Sequence, residues 1–318
     1  MELTPNPASA AAPERPPLYV IVNPASDNGA TAAFWRRTRE KLLAGGLRFA
    51  EVSTEGPGHA SILARQAGED EFGVILYVGG DGTANEVANG ILALPTLARP
   101  ALAALPRGTG GDFPHNLGMR PGPDAALDRL LRPRERVIDV VAAGFLGFDG
   151  ARTQRFFINL ADAGIGGFVS ERVNRTSKAF GGFASFLWAT LATFGTMRKP
   201  VVTLTIDGVT RYEGPATSVG VANGPRFGGG MILAPHATPD DGLLDFTVIG
   251  DITRPELVRN LPRLYRGTIL EHPKVDSWKG RHGVITTAEP APLEMDGEHT
   301  GATPLEVWVE PGALRVLV

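Results

Sequence analysis

The first part of the chain, up to about residue 137, alternates two hydrophobic patterns. Short apolar runs predict strands at 18–22, 48–52, 74–78 and 101–105. Apolar residues at helical spacing lie between these runs, through Trp35 and Leu42, after Gly58, and over 84–92. Strands that alternate with helices favour a parallel sheet covered by helices, so we predict an α/β domain over residues 18–137.

The pattern changes beyond about residue 138, where short alternating runs are separated by turn residues. Val201 to Ile206 and Thr210 to Glu213 flank the pair Asp207-Gly208. An Asp-Gly pair between two alternating runs is a strong hairpin signal. We therefore predict a mainly antiparallel β-sandwich domain over residues 138–302, with a helical insertion over about 169–196.

One loop concentrates three glycines and a carboxylate between a predicted strand and a predicted helix: Gly79-Gly80-Asp81-Gly82-Thr83. Glycines let backbone N–H groups approach a polyphosphate without interference from a Cβ, and a helix start adds partial positive charge. We expect this loop to bind phosphate and Asp81 to contact Mg²⁺, directly or through water. The loop matches neither the dinucleotide-binding nor the P-loop fingerprint. Taken alone, it also fits a tight strand-to-helix connection without function.

The composition fits two ordinary domain cores, with 318 residues of which 43% are hydrophobic and 20% are charged. A formal net charge of −3 provides no broad basic field, so we expect no nucleic-acid partner. The absence of cysteine excludes disulfides and thiolate metal sites. Residues 1–17 are rich in proline and alanine and are expected to form a disordered extension. No stretch provides the ~20 apolar residues of a transmembrane segment.

Further motifs follow one another along nearly the whole chain, from about Leu18 to Val318. They are Asn23-Pro24, Thr54 with Gly58-His59-Ala60, the 79–83 loop with Ala84-Asn85-Glu86, Leu105 to Phe113, Asn223-Gly224 with Phe227 to Gly230, Asp240 to Asp245, and Asp296-Gly297-Glu298. In this order they resemble the diacylglycerol kinase catalytic-domain family, in its bacterial single-chain lipid kinase branch. That family is related to sphingosine kinases and more distantly to NAD kinases. The resemblance implies a two-domain NAD kinase/diacylglycerol kinase-like fold in which about 303–318 return to the first domain.

The resemblance also implies an ATP- and Mg²⁺-dependent lipid kinase that phosphorylates a primary hydroxyl of a diacylglycerol-like or sphingoid-like lipid. It implies Asp296 as general base and Asp81 as a second catalytic carboxylate, whereas spacing alone also allows Asp296-Gly297 simply to turn a hairpin. The implied ATP-binding residues are Asn23, Thr54, Gly79, Gly80, Asp81, Gly82, Thr83, Ala84, Asn85 and Thr109. Asp241, with the backbone carbonyls of Thr238 and Leu243, is implied to hold a second Mg²⁺, and the alternative there is a solvated acidic turn.

Two positions depart from the family pattern. Gly111 stands where an Asn is usual, and Asp27-Asn28-Gly29 stands where a Ser-Gly-x-Gly run is typical. The resemblance therefore implies neither the nucleotide or substrate contact at Gly111 nor the phosphate contact at 27–29. The predicted loops after the first, third and fourth strands, at 23–29, 79–83 and 105–113, are called the first, third and fourth loops. Arg107, in the fourth loop, is a candidate phosphate contact.

The predicted helical insertion combines basic and aromatic residues, which suits a membrane interface or an acyl-chain gate, although a packed core is the alternative. We expect this region to border the lipid pocket, and the protein to be cytoplasmic and peripheral at the inner membrane face. The sequence leaves a homodimer open. The alternative functions are a NAD kinase-like enzyme and a non-catalytic nucleotide- or lipid-binding regulator.

Overall fold

The computed structural model describes residues 18–108, 110–175 and 199–318, without the side chains of 171–175. The predicted disordered extension, Thr109 and most of the predicted helical insertion therefore lie outside the described residues. So do most of the basic and aromatic side chains that we expect at the lipid pocket, although Lys199 is among the described residues.

A parallel sheet forms the first half of the fold, as the alternating pattern predicts. Its strands are β1 (Leu18–Val22), β2 (Phe49–Ser53), β3 (Val74–Gly79) and β4 (Ala101–Pro106), in the order β2-β1-β3-β4. Its helices are α1 (Thr31–Ala44), α2 (His59–Glu69), α3 (Asp81–Leu92), α4 (Asp112–Asn116) and α5 (Pro123–Leu131), with short 3-10 turns at Asp27–Gly29 and Thr96–Ala98. The central strand β3 is buried along its whole length, because helices cover both faces of the sheet.

Mainly antiparallel strands form the second half. They are β5 (Glu135–Leu146), β6 (Arg152–Phe157), β7 (Leu160–Gly164), β8 (Val201–Ile206), β9 (Val209–Pro215), β10 (Ser218–Ala222), β11 (Arg226–Phe227), β12 (Met231–Ile232), β13 (Leu244–Ile249), β14 (Val275–Gly280), β15 (His282–Thr287), β16 (Pro292–Met295) and β17 (Glu298–Leu317). Helices α6 (Ile165–Arg175) and α7 (Arg254–Arg266) and a 3-10 turn at Ile269–Glu271 complete the described elements. The predicted hairpin is confirmed: β8 pairs with β9, and Asp207 and Gly208 have the positive φ angles of 48° and 80° that its turn requires.

The long strand β17 connects the two halves. It pairs antiparallel with β5, β15 and β16, and near its end Val316 pairs parallel with Leu102 of β4. The predicted fold class, an α/β domain followed by an antiparallel β-sandwich, is confirmed. The boundary near Ile138 stays a prediction, since β5 runs through this residue without a break.

Candidate functional site

The predicted phosphate-side loops meet at the carboxyl edge of the parallel sheet. Backbone hydrogen bonds fix them to one another there: Asn23 N–H donates to Val78 O at 2.9 Å, Thr54 N–H to Val22 O at 2.8 Å, and Arg107 N–H to Gly79 O at 2.6 Å. Ligands of open α/β sheets bind at this edge. The topology therefore gathers residues that lie far apart in the sequence.

Two glycine loops pack backbone against backbone at this edge. A Cβ on Gly79 would lie 2.5 Å from Thr83 Oγ1, and a Cβ on Gly108 would lie 3.1 Å from Gly80 Cα. Asn23 Nδ2 donates to Thr83 Oγ1 at 2.9 Å, which joins the first loop to the third. A side chain at Gly79 would collide with Thr83 of the same loop, and a side chain at Gly108 would press against Gly80 of the neighbouring loop, so glycine at both positions permits this close packing.

Asp81 binds the start of helix α4. Its Oδ2 accepts hydrogen bonds from Gly111 N at 2.9 Å and Asp112 N at 3.2 Å, and its Oδ1 accepts one from Phe113 N at 3.1 Å. A carboxylate at a helix start is favoured by the partial positive charge of the free N–H groups. Gly111 has a φ of 67°, a conformation that asparagine also tolerates, so glycine at this position preserves the backbone and removes only a side chain.

The first and fourth loops are joined by an ion pair. Arg107, the candidate phosphate contact, donates to the carboxylate of Asp27, and its guanidinium lies 4.4 Å from the centre of the Phe34 ring. Asp27 and Asn28 both have a φ of 53°, which glycine adopts more readily. Asp27, which belongs to the segment that departs from the family pattern, thus supplies the carboxylate that pairs with Arg107.

The side chains of Glu86 and Asn85 both form hydrogen bonds within the protein. The Glu86 carboxylate accepts from Gly58 N at 2.8 Å and Ala60 N at 3.1 Å, so it stabilises the start of α2. The Asn85 side chain is fully buried, and its Nδ2 donates to Asp296 Oδ2 at 2.7 Å. Its Oδ1 accepts from Arg155. Asn85, predicted to contact ATP, therefore lies between the glycine loop and the second half of the fold.

Asp296, between β16 and β17, is the predicted base and lies in the second half of the fold. Its Oδ1 accepts from Asn159 N at 2.9 Å and Leu160 N at 3.1 Å, and its Oδ2 accepts from Ile158 N at 2.8 Å as well as from Asn85. The residue is only 7% exposed. Burial raises the pKa of Asp296, and the four donors act against that rise. All of its usual acceptor positions are occupied.

Glu298, two residues further on, faces the glycine loop. Its Oε2 accepts from Arg155 Nη2 at 2.6 Å, and its Oε1 lies 3.1 Å from where a Cβ on Gly82 would be. The side chain is 38% exposed, in contrast to Asp296. The sequence motif contains Glu298 but gives it no role, and no sequence signal marks Arg155, which lies on β6.

Other buried carboxylates surround this region. Glu294 on β16 pairs in register with Asp162 on β7, and both are fully buried. Burial raises the pKa of Glu294 to about 8 and that of Asp162 to about 6. Gly297 N donates to Glu294, and Ser218 and Gly166 donate to Asp162.

Asp112, at the start of α4, connects the first half of the fold to the glycine run 228–230 of the second half. Its carboxylate accepts from Gly229 N and Gly230 N, both at 2.8 Å. Burial raises the pKa of Asp112, and these hydrogen bonds oppose the rise. The glycine run 228–230 is therefore fixed to the fourth loop.

The predicted second Mg²⁺ site is a turn before β13 whose charges are already paired. Leu243 N donates to Asp241 Oδ1 at 3.0 Å, and Lys279 Nζ donates to Asp241 Oδ2 at 2.8 Å. Thr238 O lies 3.4 Å from Asp241 N. This arrangement does not fit a further divalent cation. Over residues 18–108, 110–175 and 199–318, no three His, Asp or Glu side chains form a metal-binding group.

None of the helices that the structure describes is long and apolar enough to cross a membrane.

Comparisons with known proteins agree with this geometry. Residues 17–143 match the diacylglycerol kinase catalytic domain, and residues 159–318 match the YegS C-terminal NAD kinase beta sandwich-like domain. A Staphylococcus carnosus protein named diacylglycerol kinase is 28% identical over 90% of this chain and 89% of its own. A YegS-like protein of Chromohalobacter salexigens, named as a lipid kinase, is 32% identical over 83% of this chain and 81% of its own.

Solved structures share the fold. A candidate diacylglycerol kinase from Bacillus anthracis superimposes with a TM-score of 0.77 at 26% identity, covering 97% of each chain. Yeast NADH kinase superimposes with a TM-score of 0.51 at 12% identity, over 96% of this chain and 84% of its own, which shows a shared fold alone. The family expected from the sequence is confirmed: the chain belongs to the diacylglycerol kinase catalytic-domain family of lipid kinases, with a YegS-type C-terminal domain.

Proposed function

We propose that this protein transfers the γ-phosphate of ATP to a primary hydroxyl of a diacylglycerol-like or sphingoid-like lipid. The observation that carries the proposal is the approach of Glu298 to Gly82, which brings a partly exposed carboxylate to the edge where the glycine loops meet. Phosphoryl transfer depends on positioning, charge neutralisation and a base near the attacking hydroxyl. The glycine loops of the parallel sheet would position the phosphates, and the second half of the fold would supply the base.

ATP would lie along the carboxyl edge of the parallel sheet. Gly79, Gly80 and Gly82 leave the backbone of the third loop accessible to phosphate, and Asn23 and Thr83 hold that loop against the first one. Thr54 directly follows β2 at the same edge, and Thr109 is proposed here from the sequence alone. Mg²⁺ bound together with ATP would neutralise the charge of the phosphates. Asp81 positions the fourth loop and stays a candidate for contact with that ion.

For the base, the structure supports a division of labour between two carboxylates. Asp296 is the base expected from the motif, but accepting a proton would require it to lose one of its four donors. Glu298 has one oxygen on Arg155 and the other directed at the glycine loop. We therefore assign proton acceptance to Glu298, and to Asp296 the positioning of the β6–β7 connection and of Asn85.

The direct test measures transfer of labelled γ-phosphate from ATP to diacylglycerol, monoacylglycerol, ceramide and sphingosine in mixed micelles, with NAD as soluble control. We expect label on one lipid. Glu298→Gln should lower turnover by about 10²–10⁴-fold while nucleotide binding and folding persist. The matched control is Glu306→Gln, which removes another carboxylate of β17 that faces an arginine, Arg152, at 3.9 Å. It should leave turnover unchanged.

Other results would redirect the assignment. Label on NAD would support the NAD kinase-like alternative. ATP binding without transfer to any acceptor would support a non-catalytic regulator. Normal turnover in Glu298→Gln, with loss only in Asp296→Asn, would return the role of base to Asp296.

A further inference from the structure

A lysine contacts Asp241 in the acidic turn at 238–243, where the family resemblance implies a metal ion. Lys279 Nζ lies 2.8 Å from Asp241 Oδ2, 3.2 Å from Asp245 Oδ2 and 3.2 Å from the backbone oxygen of His236. An ammonium group has three N–H donors and no acceptor, so three surrounding oxygens match it. Two of these oxygens carry negative charge.

The strand register fixes this position of Lys279. β13 and β14 are antiparallel neighbours, and Asp245 pairs directly with Lys279 across them. Asp245 is 4% exposed, and no described residue forms a hydrogen bond of good geometry with its Oδ2. The ion pair with Lys279 therefore balances the charge of a buried carboxylate, which without a cation would be strongly unfavourable.

The turn also joins the strands that connect the two halves of the fold. Asp139 on β5 accepts from Gly242 N at 2.7 Å and from Gly312 N of β17 at 2.8 Å, and its own N–H donates to Pro239 O at 2.7 Å. Arg136 of β5 donates to Asp240 at 2.8 Å. The cation at Asp241 consequently stabilises a junction rather than a free surface loop.

We propose that the ammonium group of Lys279 takes the place of a divalent cation in this turn, so that the turn is held without bound Mg²⁺. Mg²⁺ prefers oxygen ligands and gives up its water reluctantly. Asp241, Asp245 and a backbone carbonyl form an oxygen set of this kind, but a second cation beside the ammonium would be repelled. Removing the lysine charge should therefore create a metal site that the natural chain lacks.

The test is a Mg²⁺ titration of the nucleotide-free protein, read by thermal unfolding and calorimetry, with choline chloride at matched ionic strength as reference. The natural chain should show no saturable Mg²⁺ stabilisation. Lys279→Met should unfold about 5 °C lower without Mg²⁺, since two carboxylates lose their partner. Millimolar Mg²⁺ should reverse most of this loss, and adding Asp241→Asn should abolish the reversal.

A matched lysine shows whether the effect is local. Lys274, at the turn before β14, pairs with Glu256 at 2.9 Å on the surface, and Lys274→Met should gain no response to Mg²⁺. Saturable stabilisation of the natural chain by Mg²⁺ that Asp241→Asn removes would overturn the proposal. So would a folded Lys279→Met variant without Mg²⁺ response. Should Lys279→Met not fold, titration of the natural chain against Asp241→Asn decides, because equal curves support Lys279 as the resident cation.

Discussion

Asp81 and Asp296 are two aspartates in Asp-Gly pairs, and both carboxylates accept N–H groups from a distant segment of the chain. Asp81 accepts three, all from 111–113, and remains partly exposed at the open edge of the parallel sheet. Asp296 accepts four, three from 158–160 and one from Asn85, and is buried. The first positions one loop beside another, whereas the second holds the two halves of the fold together.

This difference shows that the same motif supports different roles according to burial and donor number. A carboxylate with every acceptor position used is a poor acceptor for a substrate proton. Glu298, two residues after Asp296 in sequence, keeps one oxygen directed at the glycine loop. Glu298 is therefore a better candidate than Asp296 for accepting the substrate proton.

The largest expected effect is that of Asp296→Asn. An amide offers only one acceptor oxygen, so two of the four donors would face the NH₂ group, at a loss of about 3–5 kcal/mol. Denaturant unfolding measures the loss. The control is Asp207→Asn, at an Asp-Gly turn whose φ of 48° nearly equals the 49° of Asp296. The Asp207 carboxylate also accepts backbone N–H groups, from Arg281 and His282, but it is exposed, so its variant should lose much less stability. Equal stability changes in both variants would contradict the role of burial.

Glu294→Gln changes another buried carboxylate of the same region. In contrast to Asp296→Asn, it should stabilise the protein. Its folded pKa of about 8 exceeds the ordinary 4.5, so the folded protein retains a proton that the unfolded chain releases. Its contribution to stability is present below pH 4.5 and is lost as the pH rises towards 8. Glu294→Gln should thus stabilise the protein at pH 8 by on the order of 3 kcal/mol, and hardly at pH 4.

The measurement for Glu294→Gln is the melting temperature as a function of pH. Glu289→Gln, an exposed change between β15 and β16, should leave the profile of the natural chain intact. A stabilisation that does not grow with pH would exclude titration of Glu294 as its cause.

Asp81→Asn should have a smaller effect on stability than Asp296→Asn. It weakens three hydrogen bonds to the start of α4 in a partly exposed place, which amounts to about 1–2 kcal/mol. The fourth loop should then move, and ATP affinity should fall about tenfold, as 1.4 kcal/mol corresponds to that factor. Calorimetry measures ATP binding, with Asp70→Asn at the exposed end of α2 as control. Unchanged affinity would show that Asp81 has no part in the nucleotide site.

Gly82→Ala should change stability least, by less than about 0.5 kcal/mol, because alanine favours the helix while its Cβ meets only the flexible end of Glu298 at 3.1 Å. Turnover should nevertheless fall, since the methyl group would enter the space between the loop and Glu298. Steady-state kinetics should show a lower kcat with little change in stability. Full turnover in this variant would place the reacting groups elsewhere.

Local sequence signals predicted the elements well. The apolar run 74–78 and the glycines after it specify a buried strand followed by a tight turn into a helix, and Asp207-Gly208 specifies a hairpin. These features depend on neighbouring residues only. The ATP-binding role of the loop and the domain boundaries stay predictions.

The sequence by itself determined the fold class and the family, because hydrophobic periodicity and motif order are properties of the chain. Only the tertiary structure decided what each polar side chain contacts. Asn85 pairs with Asp296 across 211 positions, Arg155 with Glu298 across 143, and Lys279 with Asp241 across 38. Such pairs arise from strand register and sheet topology, which bring distant carboxylates together, and burial then determines which of them remain available for chemistry.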